Sequence, residues 1–350
     1  MPYRRRCSNS TLLIIAVTVG IAYFMVNHVL EDGVKSDKGS TTSKLVRWIK
    51  INLPLKKAIK CRGKEQMIIK NIYSRDPEGW YENRDICDTC FDFPNATLRT
   101  SYGPTPIFIY QGDQDDLVSG SVLDKGTFES EKEMILSEMM KDDPDLQIID
   151  IGANIGVYTL SCAKAGRKVL AVEALARNLQ HLCASVMEGG LQDNVYLIHN
   201  AISNNNSFVS LGMHKGNMGG TYVDVNANHI KQLKEGEAQG TYGQVYSITL
   251  DDLLELPVIK HFQKVFIKMD IEGFEDRAVE RATQFFEKVN IVGILMEWVF
   301  HRNHPTAKKI IDFMTERKYK PHACKIGKVP LDVAENENWG LDVLWLPNGS

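Results

Sequence analysis

From about residue 126 onward, short apolar runs alternate with helix-patterned segments, and this alternation restricts the fold more than any other feature of the sequence. Residues 146–151 (LQIIDI) are too short for a helix and nearly continuous in apolar character, which suits a strand buried on both faces. Residues 157–164 then pattern as a helix that Gly166 closes. Residues 168–173 form a second strand run, 178–188 a second helix and 195–198 a third strand run. Further strand runs fall at 245–250, 265–270, 291–297 and 341–346, with helices predicted at 129–140, 274–287 and 306–316. Such alternation predicts an α/β domain over 126–350, a Rossmann-like parallel sheet with helices on both faces. The polar stretch 204–243, rich in Asn and Gly, reads as a loop on the substrate side.

Upstream, residues 11–30 contain no Asp, Glu, Lys or Arg, and about 20 apolar residues in a helix cross a bilayer. Arg4, Arg5 and Arg6 precede this run and Glu31 and Asp32 follow it, so the positive-inside bias predicts a type II single-pass protein. In that arrangement residues 1–10 are a cytosolic tail, 11–30 a signal anchor, 31–44 a stem linker and 45–125 a small accessory region. The body then lies in the Golgi or ER lumen; secretion after signal-peptide cleavage is the alternative. A lumenal body makes Asn95 and Asn205 candidate glycosylation sites. Cys87 and Cys90 lack the partners of a zinc site, so a structural disulfide, with Cys61 as a possible third participant, is the expectation. Cys162 and Cys183 fall on helices among apolar neighbours and read as core residues.

The chemistry concentrates where the first strand turns into the first helix. Gly152 and Gly156 occupy the places at which a side chain would block a close backbone approach, and Asn154 between them tolerates a left-handed conformation. The turn lacks the third glycine of a dinucleotide cradle and the Gly-Lys-Ser/Thr ending of a triphosphate loop, which disfavours both ligands. Asp150 beside it would repel a pyrophosphate but can hold an ammonium. Glu173 ends the second strand about 20 positions later, the spacing at which an acid meets ribose hydroxyls. Together these residues fit S-adenosylmethionine, and Tyr158 and Asn200 complete the expected cofactor set.

Residues 148–160 (IIDIGANIGVYTL), together with Thr249-Leu250-Asp251-Asp252-Leu253 and the segment 267–275 (IKMDIEGFE), closely resemble FkbM-type methyltransferases, and the chain is similar to membrane-anchored animal members of that family. The resemblance spans about 126–346. It implies a seven-stranded methyltransferase sheet, mostly parallel with an antiparallel last strand, and O-methylation of a hydroxyl on a small molecule, glycan or lipid.

Methyl transfer from a sulfonium needs alignment of the acceptor and a base for its proton. Asp270 stands at the end of a strand beside the expected crevice and is the first candidate for acceptor contact or base. Lys268 and Glu272 share its side by period-two alternation, and a salt-bridge network bracing the sheet is the competing role for all three. His301 is a further candidate base, and Glu297, Trp298 and His304 are expected near the acceptor pocket. Glu275, Asp251 and Asp252 read as helix caps. No His or Asp cluster forms a metal-ligand set. A formal charge of -3 gives no footprint for nucleic acid. The rival functions are a catalytically inactive tethered binding module and a nicotinamide-dependent reductase.

Overall fold

The computed structural model describes residues 69–87, 92–112, 114–141, 143–214, 217–224 and 243–349. The expected signal anchor at 11–30, Cys61 and Cys90 lie outside the described residues. Among the described residues no helix is long and apolar enough to cross a membrane.

The strands are β1 (Ile72–Asp76), β2 (Gly79–Glu82), β3 (Asn95–Thr100), β4 (Gly103–Phe108), β5 (Gln147–Ile151), β6 (Val169–Val172), β7 (Val195–Ile198), β8 (Ala201–Ile202), β9 (Phe208–His214), β10 (Asn217–Asp224), β11 (Gln244–Ile248), β12 (Lys264–Met269), β13 (Asn290–Glu297), β14 (Tyr319–Ala323) and β15 (Asp342–Pro347). The helices are α1 (Val118–Lys125), α2 (Ser130–Lys141), α3 (Val157–Lys164), α4 (Ala176–Glu188), α5 (Glu275–Glu280), α6 (Thr283–Lys288) and α7 (Pro305–Glu316). The main sheet runs in the order β14-β15-β13-β12-β5-β6-β7-β1-β2. β12, β13, β5, β6 and β7 are mutually parallel, and β15 runs antiparallel to β13.

Both faces of this sheet are covered, as continuous apolar strands require. Ile148, Val169, Leu197 and Phe266 pack on one side with Leu160, Leu179, Leu182 and Leu136 from the helices. Ile149, Ile151, Leu170, Ile267 and Met269 face the other side with Ala278, Phe285, Ile310 and Met314. Burying each large apolar side chain contributes about 1.5–3 kcal/mol, so the two layers hold the strand tips in fixed relation.

Several expectations need correction. The main sheet has nine strands rather than seven, because β1 of the expected accessory region pairs in parallel with β7 and carries β2 beside it. The stretch 204–243 is not simply a loop: β9 and β10 form an antiparallel pair within it, joined to β11 and β8 in a second sheet. The helix predicted over 274–287 is two helices, since Arg281 and Ala282 leave helical geometry and the Asp251 carboxylate accepts a hydrogen bond from Phe285 N (2.7 Å) in the first turn of α6. β14 escaped notice because Pro321 weakens a strand signal, and a proline is tolerated there only because β14 is an edge strand. Finally, Cys183 is not core filler: it forms a disulfide with Cys87. Cys162 and Cys324 are free.

Candidate active site

The turn after β5 is built from three left-handed residues, Gly152 (φ 78°), Asn154 (φ 54°) and Gly156 (φ 95°). At Gly152 a Cβ would stand 1.9 Å from the backbone oxygen of Asp270, and at Gly156 it would stand 2.3 Å from Leu182 Cδ1. Glycine is therefore demanded by the packing of the turn onto the end of β12 and onto α4. Only Gly152 also borders the cleft described below; Gly156 lies behind it. The Asn154 side chain accepts from Ile155 N (2.7 Å), while the Asn154 backbone N–H donates to Glu173 Oε2 (2.7 Å).

Glu173 holds the turn to the next helix. Its Oε1 accepts from Leu175 N (2.8 Å) and Asn178 Nδ2 (3.2 Å). Burial pushes its carboxyl up, and the bonds from Leu175, Asn154 and Asn178 oppose that shift. A carboxylate offers about four lone-pair positions, so three donors leave room for one ligand hydroxyl.

An open cleft runs from this turn to the tips of β12 and β13. Gly152, Asn154, Val172, Glu173, Ile202, Leu211 and Val223 line one end; Glu129, Tyr158, Lys268, Asp270, Glu272 and Glu297 line the other. The first end offers apolar walls and one acid, the pattern expected for the flat base and ribose of a nucleoside. The expected S-adenosylmethionine fits that donor set.

At the second end, Lys268 donates to Gly152 O (2.9 Å) and lies 3.6 Å from Asp270 Oδ2 and 3.7 Å from Asp150 Oδ1. Burial opposes its charge, but Asp270 and Asp150 outweigh burial and keep the ammonium protonated. Burial likewise opposes ionisation of Asp270, and here the charges of Lys268 and Lys132 prevail, holding the carboxyl below its ordinary range. Glu272 behaves differently. Burial, reinforced by Asp270 and Glu275, pushes it up to about 7. It sits in a left-handed turn (φ 56°) beyond the end of β12, so strand alternation does not describe its direction, yet it reaches the cleft.

Four expected site residues are placed otherwise than anticipated. Asp150 is fully buried beneath the turn and does not line the cleft; its Oδ2 accepts from Thr159 Oγ1 (2.6 Å). Its side chain follows the strand pleat toward α3, where Thr159 holds it. Asn200 reaches the cleft wall, but its amide is spent on backbone: it accepts from Arg75 N (2.8 Å) and donates to Arg75 O (2.8 Å) and Tyr246 O (2.9 Å). Tyr158 borders the second, carboxyl-rich end of the cleft rather than the first, and its hydroxyl donates to Glu129. His301 is buried away from the cleft, with Nε2 2.8 Å from Glu275 Oε2 and Nδ1 2.8 Å from Thr306 Oγ1. Trp298 is a core residue and His304 caps α7. Among the described residues no group of three or more His, Cys, Asp and Glu is placed to hold a metal ion.

A glycine turn, an acid on the neighbouring strand tip and a carboxyl-rich far end within one cleft narrow the choice of family. Residues 150–321 match the Methyltransferase FkbM domain. No curated protein sequence matches the chain significantly. Among solved structures, the chain is similar to the T. thermophilus 16S rRNA N2 G1207 methyltransferase RsmC in complex with AdoMet and guanosine, at 12% identity and a TM-score of 0.38, covering 73% of this chain and 50% of that one. An O-methyltransferase from Bacillus cereus in complex with SAH aligns at 13% identity and a TM-score of 0.34, over 62% of this chain and 79% of that one. A putative SAM-dependent methyltransferase from Streptococcus mutans aligns at 11% identity and a TM-score of 0.37, over 79% and 60%. The chain thus spans half the length of the first of these proteins.

The FkbM match contributes the turn, Glu173, Lys268, Asp270, Glu272 and Glu297. Three further charged groups arrive from outside it. Glu129 precedes α2, Lys132 lies on α2 and Asp342 begins β15; Lys132 Nζ is 2.7 Å from both Glu129 Oε1 and Asp342 Oδ1. In the sequence Glu129 and Lys132 carry only the charge pattern of an amphipathic helix, and no local signal joins them to Asp342 more than two hundred positions later.

Proposed function

We propose that this chain is an S-adenosylmethionine-dependent methyltransferase that methylates a hydroxyl of a glycan, lipid or small metabolite. The observation that carries this reading is one continuous cleft with Glu173 and the Gly152 turn at one end and Asp270 with Glu272 at the other. S-adenosylmethionine, when bound, supplies an electrophilic methyl group. Val172, Ile202 and Leu211 would hold its adenosine, and the open position of Glu173 would accept a ribose hydroxyl.

The chain's own residues do the rest. A hydroxyl that accepts a methyl group would have to give up its proton to a base. Glu272, whose carboxyl titrates near neutral pH, suits that task better than Asp270, whose affinity for a proton is depressed by two lysines. Asp270 then orients the acceptor, and Lys268 ties it to the carbonyl of Gly152. The carboxyl-rich end of the cleft favours uncharged acceptors over polyanions, in keeping with an acceptor other than nucleic acid.

We further infer that the body is lumenal, anchored by residues 11–30 in type II orientation. The Cys87–Cys183 disulfide supports an oxidising compartment. Protease protection of intact microsomes tests the topology: digestion of the body without detergent defeats it. For the activity, calorimetric titration with S-adenosylmethionine should give saturable heat and titration with NAD none. Labelled methyl transfer into a fractionated extract should then yield a base-stable methyl ether. Absence of saturable heat with S-adenosylmethionine defeats the enzymatic reading, and a labelled amine product defeats O-methylation.

A further inference from the structure

Three carboxyls stand abreast at the tips of three neighbouring strands. Glu297 of β13 and Asp342 of β15 are register partners, and on the other side Met269 pairs with Met296, which sets Asp270 beside Glu297. Register partners point to one face of a sheet, so all three project toward the side on which Lys268, Leu295 and Leu344 lie.

Two lysines serve this row, one at each end. Lys132 is committed to Asp342 and Glu129, and Lys268 lies between Asp270 and Asp150. The middle carboxyl has neither: among the described residues no cation is within ion-pair distance of Glu297, and its Oε2 is buried without a hydrogen-bond partner. The titratable groups facing it from every side are Asp270, Glu272 and Lys268 from the end of β12 and its turn, Glu275 from α5, Asp342 from β15, and Glu129 with Lys132 from α2 and the residue before it. Two positive charges cannot offset that many carboxylates in a part-buried space, and the acid between two other acids is the one for which ionisation costs most. Strand-tip adjacency sets the Asp270 and Glu297 carboxyls side by side, and two carboxyls can share a hydrogen bond only with a proton between them.

We propose that Glu297 is a neutral carboxylic acid at physiological pH and donates its hydrogen to the Asp270 carboxylate, so that it acts as a positioning residue for the acceptor end of the cleft. The assignment deepens the methyltransferase reading and rests on it for the catalytic consequence alone. In keeping with the geometry, burial followed by repulsion from Asp270, Glu275 and Glu272 drives the Glu297 carboxyl far above the ordinary range. An unfolded Glu titrates near 4.3, so wild-type folding loses stability as pH rises above that value, because the unfolded chain releases a proton that the folded one retains.

Glu297→Gln keeps the shape and a hydrogen-bond donor while removing the titration. The melting temperature of E297Q should match wild type near about pH 5 and exceed it increasingly toward about pH 8. An infrared difference spectrum of wild type against E297Q at neutral pH should show the band of one protonated carboxyl lost. In methyl transfer E297Q should retain turnover while E297A loses it. An E297Q melting temperature that falls further below wild type as pH rises overturns the proposal. So does a wild-type infrared spectrum at neutral pH with no protonated carboxyl, a measurement that stands even if the variants do not fold. Neither readout needs a cofactor, so failure of wild type to bind S-adenosylmethionine would defeat the enzymatic reading and leave this one intact.

Discussion

The two ends of the cleft use charge in opposite ways. At the nucleoside end the polar groups are already engaged with protein: Asn154 bonds Glu173 and Ile155, Glu173 holds three donors, and Asn200 is consumed by the backbone of Arg75 and Tyr246. At the acceptor end carboxyls outnumber lysines, and Glu297 keeps an oxygen without a partner. Saturated groups fix a shape, whereas unsaturated ones leave protons free to move. The contrast teaches that one end is specified by sterics and hydrogen bonds and the other by proton affinity, so substitutions at the two ends should fail differently.

The most damaging change should be Gly152→Ala. A Cβ only 1.9 Å from Asp270 O in a left-handed turn forces the turn away from β12, and a loss of about 4 kcal/mol or more in urea unfolding is expected, with cofactor heat abolished. Near-wild-type stability for this variant would break the steric half of the contrast. Next comes Glu272→Gln, for which turnover should fall about 10²–10⁴-fold with little change in melting temperature. Because the active base is the ionised form of a carboxyl near 7, the wild-type rate should rise with pH through that value, and the variant's profile should lose this limb. A wild-type profile flat across neutral pH would remove Glu272 from the mechanism.

Gly156→Ala should be milder, at about 1–3 kcal/mol, since its Cβ meets the far end of the Leu182 side chain, which can rotate. The smallest effect on cofactor binding is expected for Asn200→Ala. Loss of three backbone partners should cost about 1–3 kcal/mol in stability, but the affinity for S-adenosylmethionine should stay within about twofold. A large loss of affinity at unchanged stability would show that the amide serves the ligand after all.

Much of the nucleoside end was legible because its cause is local. A buried strand, a turn needing positive φ and an amphipathic helix leave marks within a few residues, and Gly152, Asn154 and Gly156 stand where that pattern put them. What sequence could not disclose is how far each polar side chain is already satisfied. Asp150 and Glu173 look alike at the tips of adjacent strands, yet one is sealed beneath the turn and the other opens on the cleft. His301 illustrates the same blindness, since its partner Glu275 is 26 positions away. The β9–β10 pair was hidden although β9 alternates Val209, Leu211 and Met213 with Ser210, Gly212 and His214, because Asn- and Gly-rich residues on either side overshadow that strand signal. The row of Asp270, Glu297 and Asp342 depends on strand order, which no local pattern encodes.

The bond between Cys87 and Cys183 encloses 96 positions of chain, including the glycine turn and Glu173. A protease that nicks any exposed loop inside that span therefore cannot shed a fragment: the pieces travel together on a non-reducing gel and part only when thiol is added. Such a nicked molecule would keep the glycine turn and Glu173, and with them Glu129 and Tyr158, on one covalent frame, a tolerance to cleavage that the chain beyond Cys183, with Lys268, Asp270, Glu272 and Glu297, does not share.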